Sequence, residues 1–424
     1  MKRNVLVIGS GGREHAVCHT LARSENIGRI YAAPGNAGIA AMPTAECVDI
    51  KTTDLNGILE FVRAHDDIYM TVVTPDDPLS MGLVDLLNQN GFRAFGPTAA
   101  AAKIESSKAF AKELMRKYDI PTADYRVFDE FNAALTYITG AKYPLVIKAD
   151  GLALGKGVVI CKDFKTAENA LREIMLDKKF GAAGASVVVE EFLYGEEVSV
   201  LVFTDGQTIK IMPTSRDYKR AKDGDKGLNT GGMGAFSPVT EFEDSKCNFK
   251  EIAMNSIFMP TIHAMNKEGR LFRGILYFGL MVTAGGVKVL EYNARFGDPE
   301  TQVILPGLKT DLLEVFDACI DGKLGELDIE WDGKYRVCVV AASKGYPLSY
   351  EKGKKITIKD GEGLIFHAGT AIKDGELVTN GGRVLCAVGE GDLLSEACNN
   401  AYANLKRMTF EGMIFRRDIV RNAQ

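Results

Sequence analysis

Short apolar runs alternate with helical patterns over the first hundred residues. The runs VLVIG, IYAAPG, TVVTP and RAFGP end at or near glycine or proline, and an alanine-containing helical pattern follows the first run from about Glu14 to Arg23. Strand–helix alternation with glycine at the strand ends is typical of a doubly wound parallel sheet. The pattern therefore predicts an α/β domain at the start of the chain.

The pattern changes after a helix predicted from Lys103 to Tyr118. Apolar runs with glycine turns follow in PLVIKADGLALGKGVVIC, SVVVEEFL and EVSVLVFTDG, which indicates a mixed α/β region. The polar segment 215–234, SRDYKRAKDGDKGLNTGGMG, is predicted to be a long functional loop, since loops of this length in compact proteins are usually functional or disordered. Beyond it the patterns predict a helix, two strands and a boundary helix, then a β-rich region; their ranges are 248–266, 275–283, 287–293, 311–321 and the last 95 residues, which end in a helix at 393–408.

Length and composition limit the classes of protein. The 424 residues predict two to four domains, and 46% hydrophobic and 25% charged residues are typical of a soluble globular protein. No apolar run is long enough for a membrane span, and the start MKRNVLVIGSGG lacks the apolar stretch of a signal peptide. A net charge of -5 argues against a nucleic-acid-binding domain. Eight cysteines without CxxC spacing indicate reduced thiols, so we expect a cytoplasmic protein.

The decapeptide LEYNARFGDP, residues 290–299, carries the strongest candidate chemistry. Alternation along a strand places Glu291, Asn293 and Arg295 on one face, with Asp298 close behind. A carboxylate and an amide oxygen suit a magnesium ion that keeps phosphate oxygens and water as its other ligands. Arg295 adds a fork for a carboxylate or phosphate. An ordinary surface strand end is the alternative.

Three polar or glycine-rich loops end the early strands. GSGGREHA, PGNAG and PDDPL contain the candidates Gly11, Gly12, Asn36 and Asp76. Because such loops converge on one crevice in an open α/β sheet, one small phosphorylated ligand is favoured over three unrelated turns. Glu14 occupies the third glycine position of a GxGxxG fingerprint, which weakens a nicotinamide dinucleotide reading.

Two further segments suit a nucleotide. In YPLVIKADGLALGKGVVI, Lys148 is a candidate phosphate ligand and Gly155 belongs to a flexible hairpin, although an exposed hairpin would look the same. In VVVEEFLYGEEVSV, the backbone and apolar residues suit an adenine edge and Glu197 suits a ribose, although acidic turns are usually only solvated.

The order of these features strongly resembles the ATP-grasp superfamily. GSGGREHA, PGNAG, EEFLYGEEVSV, NTGGMGAFSP and RFGDPETQ further resemble the glycinamide ribonucleotide synthetases within it. The resemblance covers the whole chain and implies an N-terminal domain at 1–103, an ATP-grasp domain of two α+β subdomains at 104–326 with a lid at about 122–193, and a β-rich domain at 327–424. It also implies residue roles: Lys108, Lys148 and Gly155 at ATP phosphates; Glu190, Glu191 and Leu193 at adenine; Glu197 at ribose; Glu291 and Asn293 at Mg²⁺ or Mn²⁺; Arg295, Asp217 and Asp298 at glycine, with Arg295, Asp217 and Lys148 catalytic.

Two positions depart from the family pattern. Asp76 stands where a glutamate is common, so its carboxylate reaches one methylene less. The strand Tyr277–Leu280 lacks the acidic metal ligand that many relatives carry there, which leaves a second metal ion open.

The resemblance implies a monomeric cytoplasmic ligase that joins glycine to 5-phosphoribosylamine with ATP, in the second step of purine synthesis, without nucleic acid or membrane partners. Three alternatives remain open: another ATP-grasp carboxylate–amine ligase, a nucleotide-binding regulator without turnover, and a dehydrogenase.

Overall fold

The N-terminal domain is built on a parallel sheet. The computed structural model describes residues 2–152, 157–244 and 248–420. The sheet has the order β3-β2-β1-β4-β5, and its central strand is buried because helices cover both faces. The doubly wound prediction is confirmed. The elements are β1 (Arg3–Gly9), α1 (Gly12–Leu21), β2 (Ile27–Pro34), α2 (Ala37–Ala40), β3 (Ala45–Cys47), α3 (Leu55–Ala64), β4 (Ile68–Val73), α4 (Asp76–Ser80), α5 (Leu83–Gln89) and β5 (Ala94–Phe95).

The prediction of one continuous helix from Lys103 to Tyr118 is wrong. The structure has two helices, α6 (Ala99–Ser106) and α7 (Lys108–Lys117), separated at Ser107. Ser107 is extended, with φ -137°, and its side chain accepts a hydrogen bond from the Phe110 amide. A serine that caps a new helix competes with continuation of the old one, so the apolar spacing alone did not reveal the break.

A small sheet with its own core forms the region predicted as a lid. Its order is β6-β9-β7-β8, and two helices pack on it around residues such as Ile138, Ile147 and Leu171. The elements are β6 (Tyr125–Phe128), α8 (Phe131–Thr139), β7 (Leu145–Ala149), β8 (Val158–Cys161), α9 (Phe164–Leu171), which continues as a π-helical turn over Arg172–Leu176, and β9 (Val187–Glu191).

The strands of residues 196–293 belong to three different sheets. In chain order the strands are β10 (Glu196–Thr204), β11 (Ile209–Ile211), β12 (Arg216–Asp217), β13 (Arg220–Lys222), β14 (Lys226–Asn229), β15 (Gly234–Ser237), β16 (Gly274–Thr283) and β17 (Gly286–Asn293). The antiparallel order β11-β10-β16-β17 forms the central sheet. The helices of this region are α10 (Thr240–Glu243), α11 (Phe249–Ala253), α12 (Met259–Lys267), α13 (Glu300–Ile304) and α14 (Leu312–Asp321), with a π-helical turn over Met254–Phe258 between α11 and α12.

The prediction that the polar segment 215–234 forms a long loop is wrong. It contains the short strand β12 and the hairpin β13–β14, and β15 begins at its end. β15 pairs with the C-terminal sheet, Ala235 lying opposite Cys338. Strand pairing of this kind depends on a partner about a hundred residues away, which a local pattern of polar residues does not show.

The C-terminal region is β-rich. Its main sheet has the order β12-β15-β18-β23-β20, with β25 also paired to β18, and α15 packs on it. Of the eight cysteines, the seven in the described part of the chain are free thiols. Within those same ranges, no helix is long and apolar enough to cross a membrane. The elements are β18 (Tyr335–Ser343), β19 (Ile356–Ile358), β20 (Leu364–His367), β21 (Thr370–Lys373), β22 (Glu376–Thr379), β23 (Arg383–Gly391), α15 (Leu394–Leu405), β24 (Met408–Phe410) and β25 (Met413–Ile414).

Candidate functional site

The end of β17 presents the predicted polar face. Glu291 and Asn293 are half-buried while Tyr292 between them is buried, and the half-buried Arg295 follows the strand. Glu291 lies opposite Gly279 of β16. A Cβ atom at position 279 would lie 3.0 Å from Glu291 Cγ, so the glycine leaves room for the carboxylate.

Glu105, at the end of α6, holds this segment from behind. Its Oε2 accepts a hydrogen bond from the Ala294 amide at 2.8 Å, and its Oε1 lies 2.9 Å from Arg295 Nη2. The surroundings of Asn293 orient its amide nitrogen toward Glu105 Oε1, at 3.0 Å. That orientation turns the Asn293 oxygen away from Glu105. Burial raises the pKa of Glu105, and Arg295 opposes the shift.

A buried charge cluster lies between the lid and α7. Glu190 Oε2 lies 3.0 Å from Lys112 Nζ and Glu190 Oε1 lies 3.0 Å from Lys148 Nζ, with all three side chains at most 8% exposed. The ammonium of Lys148 also donates to Leu290 O at 2.9 Å. Burial lowers the pKa of Lys112 to about 8, although Glu190 opposes this. The Glu190 carboxylate is thus engaged with two lysines, and its contact with adenine stays a prediction.

Lys108 lies at the start of α7, next to the end of lid strand β7. Its ammonium donates to Gly151 O at 2.9 Å, and Asp150 accepts a hydrogen bond from the Ala109 amide at 3.0 Å. Burial lowers the pKa of Lys108, while Glu291 opposes the shift. Lys108 and Glu291 are therefore close enough to interact electrostatically. Gly155, predicted in the phosphate hairpin, lies outside the described residues.

A small apolar patch surrounds Leu193, which is predicted to contact adenine. Leu193 packs with Ala123 and Met281, and the half-buried Leu290 joins them. Glu191 instead faces Lys288, 3.0 Å away, and accepts a hydrogen bond from the Asp124 amide. Leu193 thus supplies the apolar wall that was predicted for this segment, while the adenine contacts themselves stay predictions.

Lys219 is the centre of a second, more open charge cluster. Its Nζ lies 3.4 Å from Glu197, 3.6 Å from Glu291 and 3.9 Å from Asp217. Its side chain is 34% exposed. Burial alone would lower the pKa of Lys219, but the three carboxylates raise it well above its ordinary value. This lysine belongs to the segment that was predicted as a loop.

Within this cluster the pKa values of Asp217 and Glu291 shift in opposite directions. Burial raises the pKa of Asp217 to about 7; Lys219 opposes the shift and neighbouring carboxylates add to it. Burial also disfavours the charged form of Glu291, but Lys219, Lys148, Lys108 and Arg295 hold its pKa below the ordinary value. Glu291 is therefore an ionised carboxylate.

The donor set suits one divalent cation that shares its coordination with phosphate. Glu291 supplies a charged oxygen, and the orientation of Asn293 leaves its amide oxygen free of Glu105. No group of three or more His, Cys, Asp and Glu residues suited to a metal exists in the ranges described. Two oxygens meet the needs of Mg²⁺ only when a ligand completes the shell.

The first glycine loop is filled by Glu14. This carboxylate accepts hydrogen bonds from the Gly11 amide at 2.6 Å and from Thr74 Oγ1 at 2.7 Å. A Cβ atom at Gly9 would lie 2.4 Å from Glu14 Cγ, which explains that glycine. An acidic side chain against the helix start occupies donors that a dinucleotide pyrophosphate would use, which argues against the dehydrogenase alternative.

Gly11, Gly12 and Asn36 have structural reasons of their own. Cβ atoms at the two glycines would lie 2.8 Å from Glu14 Oε2 and 2.7 Å from Gln302 Nε2, respectively. The Asn36 oxygen accepts from two amides of α2, and its nitrogen donates to Ser10 O and His367 O. Because that amide is engaged within the protein, substrate binding by these residues stays a prediction.

Asp298 and Asp76 both interact electrostatically with Arg295. Asp298 pairs with Arg383 of β23 at 2.9 Å and accepts from Gln302 at 2.7 Å. Burial would raise the pKa of Asp298, but Arg383 and other cations hold it below the ordinary value. Asp76 begins α4 and is one of the acids that raise the pKa of Arg295. Both carboxylates are therefore near the guanidinium that was predicted to hold glycine.

The chain matches three family models in succession. They are the phosphoribosylglycinamide synthetase N domain over residues 3–105, the ATP-grasp (A) domain over 106–301 and the C domain over 336–422. The chain belongs to the phosphoribosylglycinamide synthetase family. This membership agrees with the resemblance found in the sequence motifs.

Individual relatives agree along nearly the whole chain. A phosphoribosylamine–glycine ligase of Caldanaerobacter subterraneus subsp. tengcongensis is 48% identical over 98% of this chain and 99% of its own length. One from Neisseria meningitidis serogroup A is 46% identical over 99% of both. The crystal structure of a Thermotoga maritima phosphoribosylamine–glycine ligase is 38% identical with a TM-score of 0.84, covering 98% of this chain and all of the other. A Campylobacter jejuni biotin carboxylase, 13% identical with a TM-score of 0.74 over 98% of this chain and 93% of its own, shares the fold.

Four residues that pair with the predicted site residues were not predicted from the sequence. Lys112 had a signal, since it lies one turn after Lys108 on a helix. Lys219 lay within a segment flagged only for its polarity. Glu105 and Arg383 had no local signal, because their partners lie 189 and 85 residues away.

Proposed function

We propose that this chain is an ADP-forming ligase that joins glycine to 5-phosphoribosylamine. ATP phosphorylates the glycine carboxylate to glycyl phosphate, and the amine then displaces phosphate to give the glycinamide. The observation that carries the proposal is the cationic environment of Glu291, whose carboxylate lies 3.6 Å from Lys219 Nζ. Burial disfavours the charged form of Glu291, but Lys219, Lys148, Lys108 and Arg295 lower its pKa. The names of relatives that match nearly the whole chain supply the substrates.

ATP would lie between the lid and the central sheet. Lys108 and Lys148 would bind its phosphates, Leu193 and the backbone at 191–193 would contact adenine, and Glu197 its ribose. Glu291 and Asn293 would hold Mg²⁺, or Mn²⁺ in its place, which supplies charge neutralisation for the transferring phosphoryl group. Lys219, between Glu197 and Glu291, is placed to approach the same phosphates.

Glycine would lie against Arg295. The guanidinium binds a carboxylate through two parallel donors, and its Nε has no hydrogen-bond partner among the described residues. Asp217, when ionised, would bind the glycine ammonium, with Asp298 fixing the loop beside it. Positioning the carboxylate next to the γ-phosphorus converts a bimolecular step into an intramolecular one.

The amine substrate would enter from the N-terminal loops. Gly11, Gly12, Asn36 and Asp76 border this side, where Glu14 already engages the Gly11 amide. We propose that phosphoribosylamine binds against these residues, with the Asp76 carboxylate accepting from its ribose hydroxyls. Closure of the lid hairpin would exclude water from the acyl phosphate. We further propose that the enzyme acts in the cytoplasm as a monomer in the second step of purine synthesis.

An assay of ADP release tests the proposal. Purified protein is given MgATP with glycine, with phosphoribosylamine generated in situ, with both or with neither. ADP release at full rate should require both substrates. Release that is unaffected by glycine would point to another ligase, and ATP binding without release under any condition would point to a regulator.

A further inference from the structure

Glu105 joins the predicted metal-binding residue to the predicted glycine-binding residue. It receives donors from three consecutive residues: the Asn293 amide nitrogen at 3.0 Å, the Ala294 amide at 2.8 Å and the Arg295 guanidinium at 2.9 Å. Its side chain is 8% exposed. No other described acid makes hydrogen bonds or ion pairs to all three of these residues.

We propose that Glu105 is a positioning residue that sets the catalytic orientation of both Asn293 and Arg295. This proposal rests on the proposed function, since it assigns the metal to Asn293 and glycine to Arg295. The carboxylate, together with Tyr292 O at 3.2 Å, fixes which end of the Asn293 amide faces the metal side. It also holds one end of the Arg295 guanidinium and leaves Nε without a protein partner. Outer-shell partners of this kind orient ligands and are costly to remove.

The position of Glu105 adds a link between domains. It lies at the end of α6, near the point where the N domain match ends at residue 105 and the ATP-grasp match begins at 106. Asp76 of the N-terminal domain raises the pKa of both Glu105 and Arg295, so it lies within electrostatic reach of both groups. Glu105 thus links the end of the first matched domain to residues 293–295 of the second.

The substitution Glu105→Gln tests the role while keeping shape. Glutamine retains an acceptor for Ala294 but loses the charge that Arg295 and Asn293 share. We expect the KM for glycine and the Mg²⁺ concentration for half-maximal rate each to rise about 10-fold or more, since hydrogen bonds to charged groups are the stronger class. The KM for ATP should change less than about threefold. Unchanged constants for both glycine and Mg²⁺ would overturn the proposal.

Asp85→Asn is the matched control. Asp85 accepts a hydrogen bond from the Ala99 amide at 2.8 Å at the other end of the same helix, away from Arg295. This variant keeps an acceptor for Ala99 but loses a negative charge at the start of α6, so its thermal midpoint should fall with little change in glycine or Mg²⁺ constants. If it shifts those constants as strongly as Glu105→Gln does, Glu105 acts only through the stability of α6.

A double-mutant cycle separates positioning from folding. Glu105→Gln should have little additional effect on the glycine KM in the Arg295→Lys background, because the guanidinium it orients is gone. Full additivity would contradict the proposal. Should Glu105→Gln fail to fold, Glu105→Asp, which keeps the charge on a shorter arm, should still raise the glycine KM more than the ATP KM; equal rises would also overturn it. Wild-type protein that releases no ADP with both substrates would instead mean failure of the proposed function.

Discussion

Two charge clusters at the candidate site differ in solvent exposure. In the first, Glu190 lies between Lys112 and Lys148 at 3.0 Å from each, and every side chain is at most 8% exposed. In the second, Lys219 lies 3.4–3.9 Å from Glu197, Glu291 and Asp217 and is 34% exposed. Both are close to the face where phosphate is expected.

The difference in solvent exposure indicates that the two clusters have different roles. A tightly paired buried cluster fixes Lys148 and costs stability when one partner is removed. An open cluster with an excess of carboxylates has groups that can change partner when a cation or phosphate arrives. We infer that the first cluster is a fixed frame for ATP and that the second is where charge rearranges during reaction.

The largest expected effect is the loss of stability when Glu190 is removed. A small loss would contradict the difference between the two clusters. Glu190→Ala leaves two buried ammoniums without their shared counter-charge and should lower the free energy of unfolding by about 3–5 kcal/mol. Glu197→Ala in the open cluster should cost less than about 1 kcal/mol. Urea unfolding of both variants gives the answer; equal losses would show that the clusters do not differ.

Loss of one lysine from each cluster, Lys219 or Lys148, sharpens the comparison in activity. Lys219→Ala should lower kcat by about 10²-fold or more, since a charge aimed at the transition state is lost. Its unfolding free energy should change little, because the side chain is partly exposed. Lys148→Ala should raise the ATP KM, lower kcat and also reduce stability, because it leaves Glu190 with one partner. Steady-state kinetics with urea unfolding measure both properties. A Lys219→Ala variant with wild-type kcat would remove this lysine from the mechanism.

Metal dependence should separate residues within the open cluster. Glu291→Ala and Asn293→Ala should each raise the Mg²⁺ requirement by at least about 10-fold, since they are the proposed ligands. Glu197→Ala should instead raise the ATP KM through the ribose. Rates measured over a Mg²⁺ series at saturating ATP make the comparison. The metal assignment fails if all three variants show the same requirement.

Asp217 should also make stability depend on pH. The pKa of Asp217 is raised from 3.8 to about 7, so the folded state holds a proton that the unfolded state releases between these values. Stability from this group is therefore complete below about pH 4 and is lost as pH rises through 7. Asp217→Asn should flatten that part of the profile. Thermal unfolding at pH 5, 6 and 7.5 without ligands measures it, and parallel profiles for both proteins would contradict the shift.

The sequence predicted what depends on local periodicity. The face of Glu291 and Asn293 follows from alternation along one strand, and the first sheet follows from strand–helix alternation. Lys148 at the end of β7 was found because it ends an apolar run. These features need no knowledge of distant partners.

Long-range contacts set the rest. Glu105 acquires its role from residues 293–295, and Lys219 from strands β10 and β17. The segment 215–234 leads into β15, whose pairing with β18 joins residues about a hundred positions apart, so the polar pattern of the segment predicted only a loop. The break at Ser107 depends on a cap, which competes with the apolar spacing on either side.

We infer that both clusters promote transfer of the terminal phosphate of ATP to the carboxylate of glycine. Glycine labelled with oxygen-18 in its carboxylate, given with ATP and phosphoribosylamine, tests it directly by mass analysis of the phosphate products. Attack on the γ-phosphorus should place one labelled oxygen in inorganic phosphate, with ADP as the nucleotide product. Label in AMP together with release of pyrophosphate would show attack on the α-phosphorus and would contradict the account.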